Sequence, residues 1–301
     1  MTIINLQNTP EKSGVVSKSV SFDSNGNKLM GTLYTPETSD TRLPAVIVTG
    51  AWTTVKEQMA GTYARELASR GFAALAFDFT GWGESEGASR YIEDPKVKTA
   101  DIHAAADYLS SLDEIDSASI SGLGICASSG YMAEAVADSD KFQKLALVAP
   151  WLHDPKMAEA IYGGTEAAMG LIAASEADDA ADTILLGASA TDENSVMYQA
   201  PYYTEEDRGL IAAYDNKFSV ASWKPWLTYN AQSSADRLKK PMLMVGSPSI
   251  ALLAGAEAYE ARTSAPLEKL WLGDDVTQFD FYDRKDAVMA AADAVADFMK
   301  G

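Results

Sequence analysis

The chain has 301 residues, 47% of them hydrophobic, with a formal charge of −19 and a pI near 4.4. That length supports one large core, and the acidity excludes nucleic acid or an anionic membrane surface as a natural partner, because both would repel it. A single cysteine excludes an internal disulfide and a multi-cysteine metal site, and two histidines, His103 and His153, are too few for a histidine-rich zinc centre, so neither metal nor cofactor is expected.

Val15 to Phe22 alternates, Asn25-Gly26 is a hairpin signal, and Lys28 to Tyr34 resumes an extended pattern. Pro44 to Thr49 is a continuous apolar run, as for a strand covered on both faces, and Gly50 breaks it. From Lys56 to Arg70, Met59, Tyr63 and Leu67 recur every four residues, which predicts a helix capped by Gly71. Phe72 to Phe77 predicts the next strand, Gly81-Trp82-Gly83 a turn, and Pro95 to Leu112 another helix. Ser119 to Leu123 reads as a buried strand and Ser129 to Val136 as a helix, with Cys126 in the turn between them. Leu145 to Ala149 is a further strand, closed by Pro150. The β-α alternation then stops between Pro155 and Arg237, where alanine-rich helical segments and aromatic stretches predict a helical cap or lid. Pro241 to Val245 restarts the sheet, followed by a helix over 254–262, a strand over 267–272 and a final helix over 285–299. The expected organisation is a core from residues 1–154 and 238–301 with an inserted cap at 155–237. No stretch stays apolar for the ~20 residues of a membrane span, and Met1 to Gly14 lacks a leader pattern, so the expectation is a soluble cytoplasmic protein.

Gly124-Ile125-Cys126-Ala127-Ser128, set between strand and helix, places the one cysteine where a sharp turn exposes a side chain to the first N–H groups of a helix. Together with Val48 to Thr54, Asp78 to Ser85 and Gln278 to Asp283, this segment resembles the α/β-hydrolase superfamily, and the Cys elbow resembles that of dienelactone hydrolases. The resemblance spans essentially the whole chain and implies a mostly parallel sheet covered by helices on both faces, with Cys126 as nucleophile. It implies an oxyanion hole from the backbone N–H of Ala127 and that of Ala51 or Trp52. It also implies a histidine after the last strand and an acid after Val245, where this chain has Gln278 and, in Gly246 to Ser249, no carboxylate. Gln278 and Ser249 thus mark a degenerate triad, and ordinary Ser-His-Asp-type hydrolysis is excluded on these residues.

His153 follows the strand beside the nucleophile strand and is the candidate base for Cys126, with Asp154 orienting it or lining the pocket; the alternative is a structural hydrogen bond joining cap to sheet. His103 lies inside a helix and reads as structural. Glu57, in the loop region from which dienelactone hydrolases serve their cysteine, reads as a solvated first-turn carboxylate. Trp82, Tyr131, Trp151 and the cap aromatics are candidates for an apolar pocket, against the alternative of cap-to-core packing. The expected function is attack on an ester, thioester or lactone by Cys126, with acyl transfer or lyase chemistry in the same pocket as variants. A non-hydrolytic pseudo-enzyme that binds a small ligand or partner is the alternative from another class. The expected partners are a small carbonyl or acyl substrate and, at most, a second copy of the chain in a homodimer.

Overall fold

A computed structural model describes residues 14–39 and 41–301; the stretch 1–13, which holds nearly all of the segment read as leaderless, lies outside them. β1 (Val15–Ser24) and β2 (Asn27–Pro36) form an antiparallel hairpin, and Asn25 and Gly26 turn it with φ of 51° and 83°, the left-handed pair that matches strand twist. β3 (Leu43–Thr49), α1 (Met59–Ala68), β4 (Ala73–Phe77), α2 (Pro95–Ser110), β5 (Ile115–Ile125), α3 (Ser128–Ala137) and β6 (Phe142–Val148) then alternate. β4 is buried along its whole length and β3 nearly so, as continuous apolar runs dictate for strands with helices on both sides.

The segment between β6 and the next sheet strand carries α4 (Pro155–Ile161), α5 (Thr165–Ser175), β7 (Ile184–Leu186), β8 (Ala188–Ser189), β9 (Met197–Tyr198), α6 (Pro201–Thr204), β10 (Lys217–Ser219) and α7 (Trp223–Leu227). The alanine-rich pattern predicts a helical cap, and the segment is instead mixed: β7 pairs with β10 and β8 with β9 in two small ribbons too short to leave a period in the sequence. β11 (Met242–Gly246), α8 (Leu253–Arg262), β12 (Leu267–Trp271), α9 (Asp280–Asp283) and α10 (Lys285–Lys300) complete the chain.

Among the described residues the main sheet has eight strands in the order β1-β2-β4-β3-β5-β6-β11-β12, antiparallel at β1/β2 and β2/β4 and parallel elsewhere. α1 and α10 pack together on one face, while α2 and α3 pair on the other. The loops after β3, β4, β5, β6 and β11 therefore emerge along one edge of the sheet, the edge at which ligands meet open α/β sheets. Over it lies the segment after β6, held by Thr53 Oγ1 to Tyr214 Oη (3.0 Å), Gln58 Nε2 donating to Gly209 O (2.7 Å) and Glu93 N donating to Ser222 Oγ (2.9 Å). No helix among the described residues is long and apolar enough to cross a membrane.

Candidate active site

β5 ends at Ile125 and α3 starts at Ser128, so Cys126 occupies a two-residue corner and takes φ of 57°, a left-handed conformation that costs a non-glycine residue on the order of 1 kcal/mol or more. Neighbouring bonds over-determine it. Cys126 N donates to Val148 O (3.1 Å), and Cys126 O accepts from Ser129 N and Trp151 N (both 3.0 Å). Gly124 allows α3 to approach β5: a Cβ there would lie 2.8 Å from both Ser128 O and Ser129 Cα. Ser128, where the resemblance has a glycine, ties the corner to the strand, its hydroxyl accepting from Ile125 N (3.2 Å) and lying 3.1 Å from Ile125 O.

Cys126 is 7% exposed, and its surroundings are not hydrocarbon alone. Three donors bear on its sulfur: the backbone N–H of Ala127, the backbone N–H of Trp52 and the hydroxyl of Tyr282. Of the two loop residues left open by the sequence, Ala51 directs its N–H at Met59 Sδ (3.4 Å), so Trp52 is the one that faces the sulfur. Thr53, with φ of 64°, bends the chain immediately after it. Burial pushes the thiol up from its ordinary range, the three donors oppose that rise, and the charge of Glu93 adds to it.

Tyr282 is held from behind by Gln278. The amide Oε1 accepts from Ala251 N (3.0 Å), which fixes the amide's orientation, and Nε2 donates to Ala149 O and to Tyr282 Oη (both 2.9 Å). Because Gln278 supplies the proton of its bond with Tyr282, the Tyr282 hydroxyl keeps its own for the sulfur. The position where the resemblance implies a histidine thus reaches Cys126 through a tyrosine one helical turn on. Ser249 lies apart, exposed, donating its hydroxyl to Asp274 O (2.7 Å).

The expected Cys126–His153 dyad is not formed. His153 is 1% exposed and both ring nitrogens are engaged elsewhere: Nδ1 accepts from Trp151 Nε1 (3.1 Å) and Nε2 pairs with Trp226 O (2.9 Å). The indole can only donate and the carbonyl can only accept, so the ring is neutral with its proton on Nε2. Burial holds His153 down to about 4, the bond to Trp226 O opposing. Asp154 is the N-cap of α4, accepting from Met157 N (2.8 Å), rather than a partner of the imidazole. Glu57 pairs with Lys56 (2.7 Å) in a cluster with Asp78 and Glu84, away from the cysteine.

Trp82 donates its indole N–H to Ile92 O (3.1 Å), and Tyr131 its hydroxyl to Glu93 Oε1 (2.7 Å). Glu93 and Lys98, which sequence reasoning missed, form a fully buried pair (2.8 Å) beneath the site, with Lys98 Nζ over the rings of Trp82 (4.7 Å), Phe79 (4.8 Å) and Tyr131 (5.9 Å). Burial lowers the Lys98 ammonium from its usual value, and Glu93 opposes the shift. Trp52 stacks on Trp226 (centroids 5.0 Å) and tilts against Phe218 (4.9 Å) and Trp223 (6.2 Å), so an aromatic roof from the segment after β6 covers the cysteine. A shallow cleft lies between Trp82, Tyr91, Tyr214 and Lys217. Among the described residues no group of three or more His, Cys, Asp or Glu side chains could hold a metal.

The family model described as serine aminopeptidase S33 matches residues 46–200, just over half of the chain, including the elbow and the loops after β3 and β4. The chain belongs to this α/β-hydrolase family. Its relatives include the uncharacterized protein YcjY of Escherichia coli, 27% identical over 95% of this chain and 99% of that one. The thiohydrolase aneE of Aspergillus aculeatus is 33% identical over 40% of this chain and 37% of its own. The crystal structure of the hypothetical protein PA2218 from Pseudomonas aeruginosa superposes with a TM-score of 0.83 at 23% identity, covering 100% of this chain and 97% of that one, and shares the fold.

Proposed function

We propose that this α/β hydrolase is an acyl-transferring enzyme that uses Cys126 as nucleophile, with thioesters and other donors of good leaving groups as its substrates. The observation that carries the reading is the placement of the one cysteine at a strained strand-to-helix corner, φ 57°, where Ala127 N–H, Trp52 N–H and Tyr282 O–H act to lower the thiol against its burial. The sulfur attacks the acyl carbonyl, the two backbone donors hold the oxyanion, and collapse expels the leaving thiol. The new bond is Sγ–C(acyl), the broken one is C(acyl)–S of the donor, and the thiol proton ends on the departing thiolate.

Leaving-group choice follows from what surrounds the cysteine. An alkoxide must be protonated as it leaves, whereas a thiolate or phenolate departs without help, and neither Gln278 nor His153 is placed to protonate anything. The same lack of a base leaves water unactivated, so the acyl-enzyme persists until a better acceptor than water arrives. The name of the relative aneE, a thiohydrolase, is consistent with thioester chemistry in this family.

The test is intact-protein mass spectrometry after incubation with acyl thioesters, phenyl esters and alkyl esters, beside Cys126→Ala. A stable acyl adduct with the first two classes, absent in Cys126→Ala, is expected; no adduct with any donor would overturn the proposal. A second reading, a non-hydrolytic member that only binds a ligand, is favoured by the closed aromatic roof and the occupied imidazole, and that negative result would select it.

A further inference from the structure

The indole N–H of Trp52 is a buried donor with no hydrogen-bond partner among the described residues, although Trp52 is only 7% exposed. Its neighbours are not treated this way. The indoles of Trp82, Trp151 and Trp226 each have an acceptor, Ile92 O, His153 Nδ1 and Tyr162 Oη respectively. A buried donor left unpaired costs about 1–3 kcal/mol, so such groups are rare in native proteins and invite an explanation. The other such atom among the described residues, Gln232 Oε1, belongs to an amide whose Nε2 donates to Leu152 O and Gly255 O, a structural tie at the return to the core.

Trp52 also supplies the backbone N–H that faces the cysteine sulfur. One residue therefore offers two donors, a main-chain N–H and, a few bonds away, the N–H of an indole whose ring packs against Phe218, Trp223 and Trp226. In apolar walls a lone donor discriminates strongly, because a ligand that brings an acceptor satisfies it and one that does not leaves it unpaired.

We infer that the Trp52 indole reads the acyl chain, accepting as preferred substrates acyl groups that carry a keto or hydroxyl oxygen one or two carbons from the reacting carbonyl. This rests on the proposed acyl transfer to Cys126 and narrows its substrate class.

The experiment compares wild type with Trp52→Phe, which keeps an aromatic ring and removes only the donor. The probes are the N-acetylcysteamine thioesters of acetoacetate, 3-hydroxybutyrate and butyrate, and the readout is the rate of Cys126 acylation by intact-protein mass spectrometry. Wild type is expected to favour the two oxygen-bearing donors, and Trp52→Phe to lose about fivefold to tenfold of that preference, read as the ratio of the acetoacetyl and 3-hydroxybutyryl rates to the butyryl rate within each protein. Equal rates for all three donors in wild type, or equal slowing of all three in the variant, would overturn the inference while leaving the acyl-transfer reading intact. A binding arm covers the case in which no donor acylates: in Cys126→Ala, with and without Trp52→Phe, the affinity for acetoacetamide and butyramide forms of the same probes is read by tryptophan fluorescence. Weakened binding of the acetoacetamide form alone supports the indole's role; no difference between the two amides sinks it. Thermal unfolding of each variant checks that the fold is retained.

Discussion

Lowering the pH from about 7 to about 5 should destabilise this protein through His153, and the size of the loss follows from its two hydrogen bonds. The imidazole is held neutral between an indole N–H and a carbonyl oxygen, with its folded value near 4 against an ordinary 6.5. Because the folded value lies below the unfolded one, the unfolded chain takes up the proton first. Stability from this group is complete above the unfolded value, falls as pH drops below it, and levels off below about 4. At pH 5 the unfolded imidazole is nearly all charged and the folded one mostly neutral, which amounts to about 2 kcal/mol. Carboxylates and His103 titrate as well, so the informative quantity is a double difference: urea midpoints at both pH values for wild type and for His153→Gln, whose amide can accept from Trp151 and donate to Trp226 O without ever charging. The wild-type loss should exceed that of the variant by about 2 kcal/mol. Equal losses would mean that His153 titrates normally, and the trapped tautomer with it would be wrong.

Three further outcomes are expected. Alkylation of Cys126 by iodoacetamide should keep accelerating with pH beyond the usual thiol range, and Tyr282→Phe, which removes a donor from the sulfur, should displace that profile further upward; an unchanged profile would remove Tyr282 from contact with the sulfur. Lys98→Met leaves the Glu93 carboxylate buried without its cation and should cost about 3–5 kcal/mol in urea unfolding, while adding Glu93→Leu should recover much of the loss. Gly124→Ala forces a Cβ to within 2.8 Å of Ser128 O and Ser129 Cα, and should lower stability by about 1–3 kcal/mol together with the rate of Cys126 acylation; a neutral result would show the corner to be more yielding than drawn.

Much of the architecture was legible because its signals are local and repeated. Apolar runs such as Ala45 to Thr49 and Ala73 to Phe77 are buried along their length, and the four-residue recurrence of Met59, Tyr63 and Leu67 does face the core. The ribbons formed by β7 with β10 and β8 with β9 were not legible, since pairings of two or three residues leave no period to read. At the site, the flanks of Cys126 singled it out, but the choice between the N–H groups of Ala51 and Trp52 depends on backbone directions that composition does not carry. Tyr282 had a faint signal, lying four residues after Gln278 in the segment Gln278 to Asp283 that carries part of the resemblance. Lys98 had none: a lysine within a helix is ordinarily solvated, and only the tertiary meeting of Glu93, Phe79, Trp82 and Tyr131 explains its burial.

β6 and β11 lie side by side in the sheet and run parallel, so some crossover between them is obligatory whatever its length. The stretch that roofs the cysteine is that crossover enlarged. None of the eight strands of the main sheet lies in residues 155–237, so changes of sequence there leave the pairing partners of that sheet in place. The proposed chemistry at the sulfur and the selectivity above it are thereby free to diverge on separate schedules, except where Thr53, Gln58, Glu93 and His153 tie the core to the roof and where Trp52 serves both.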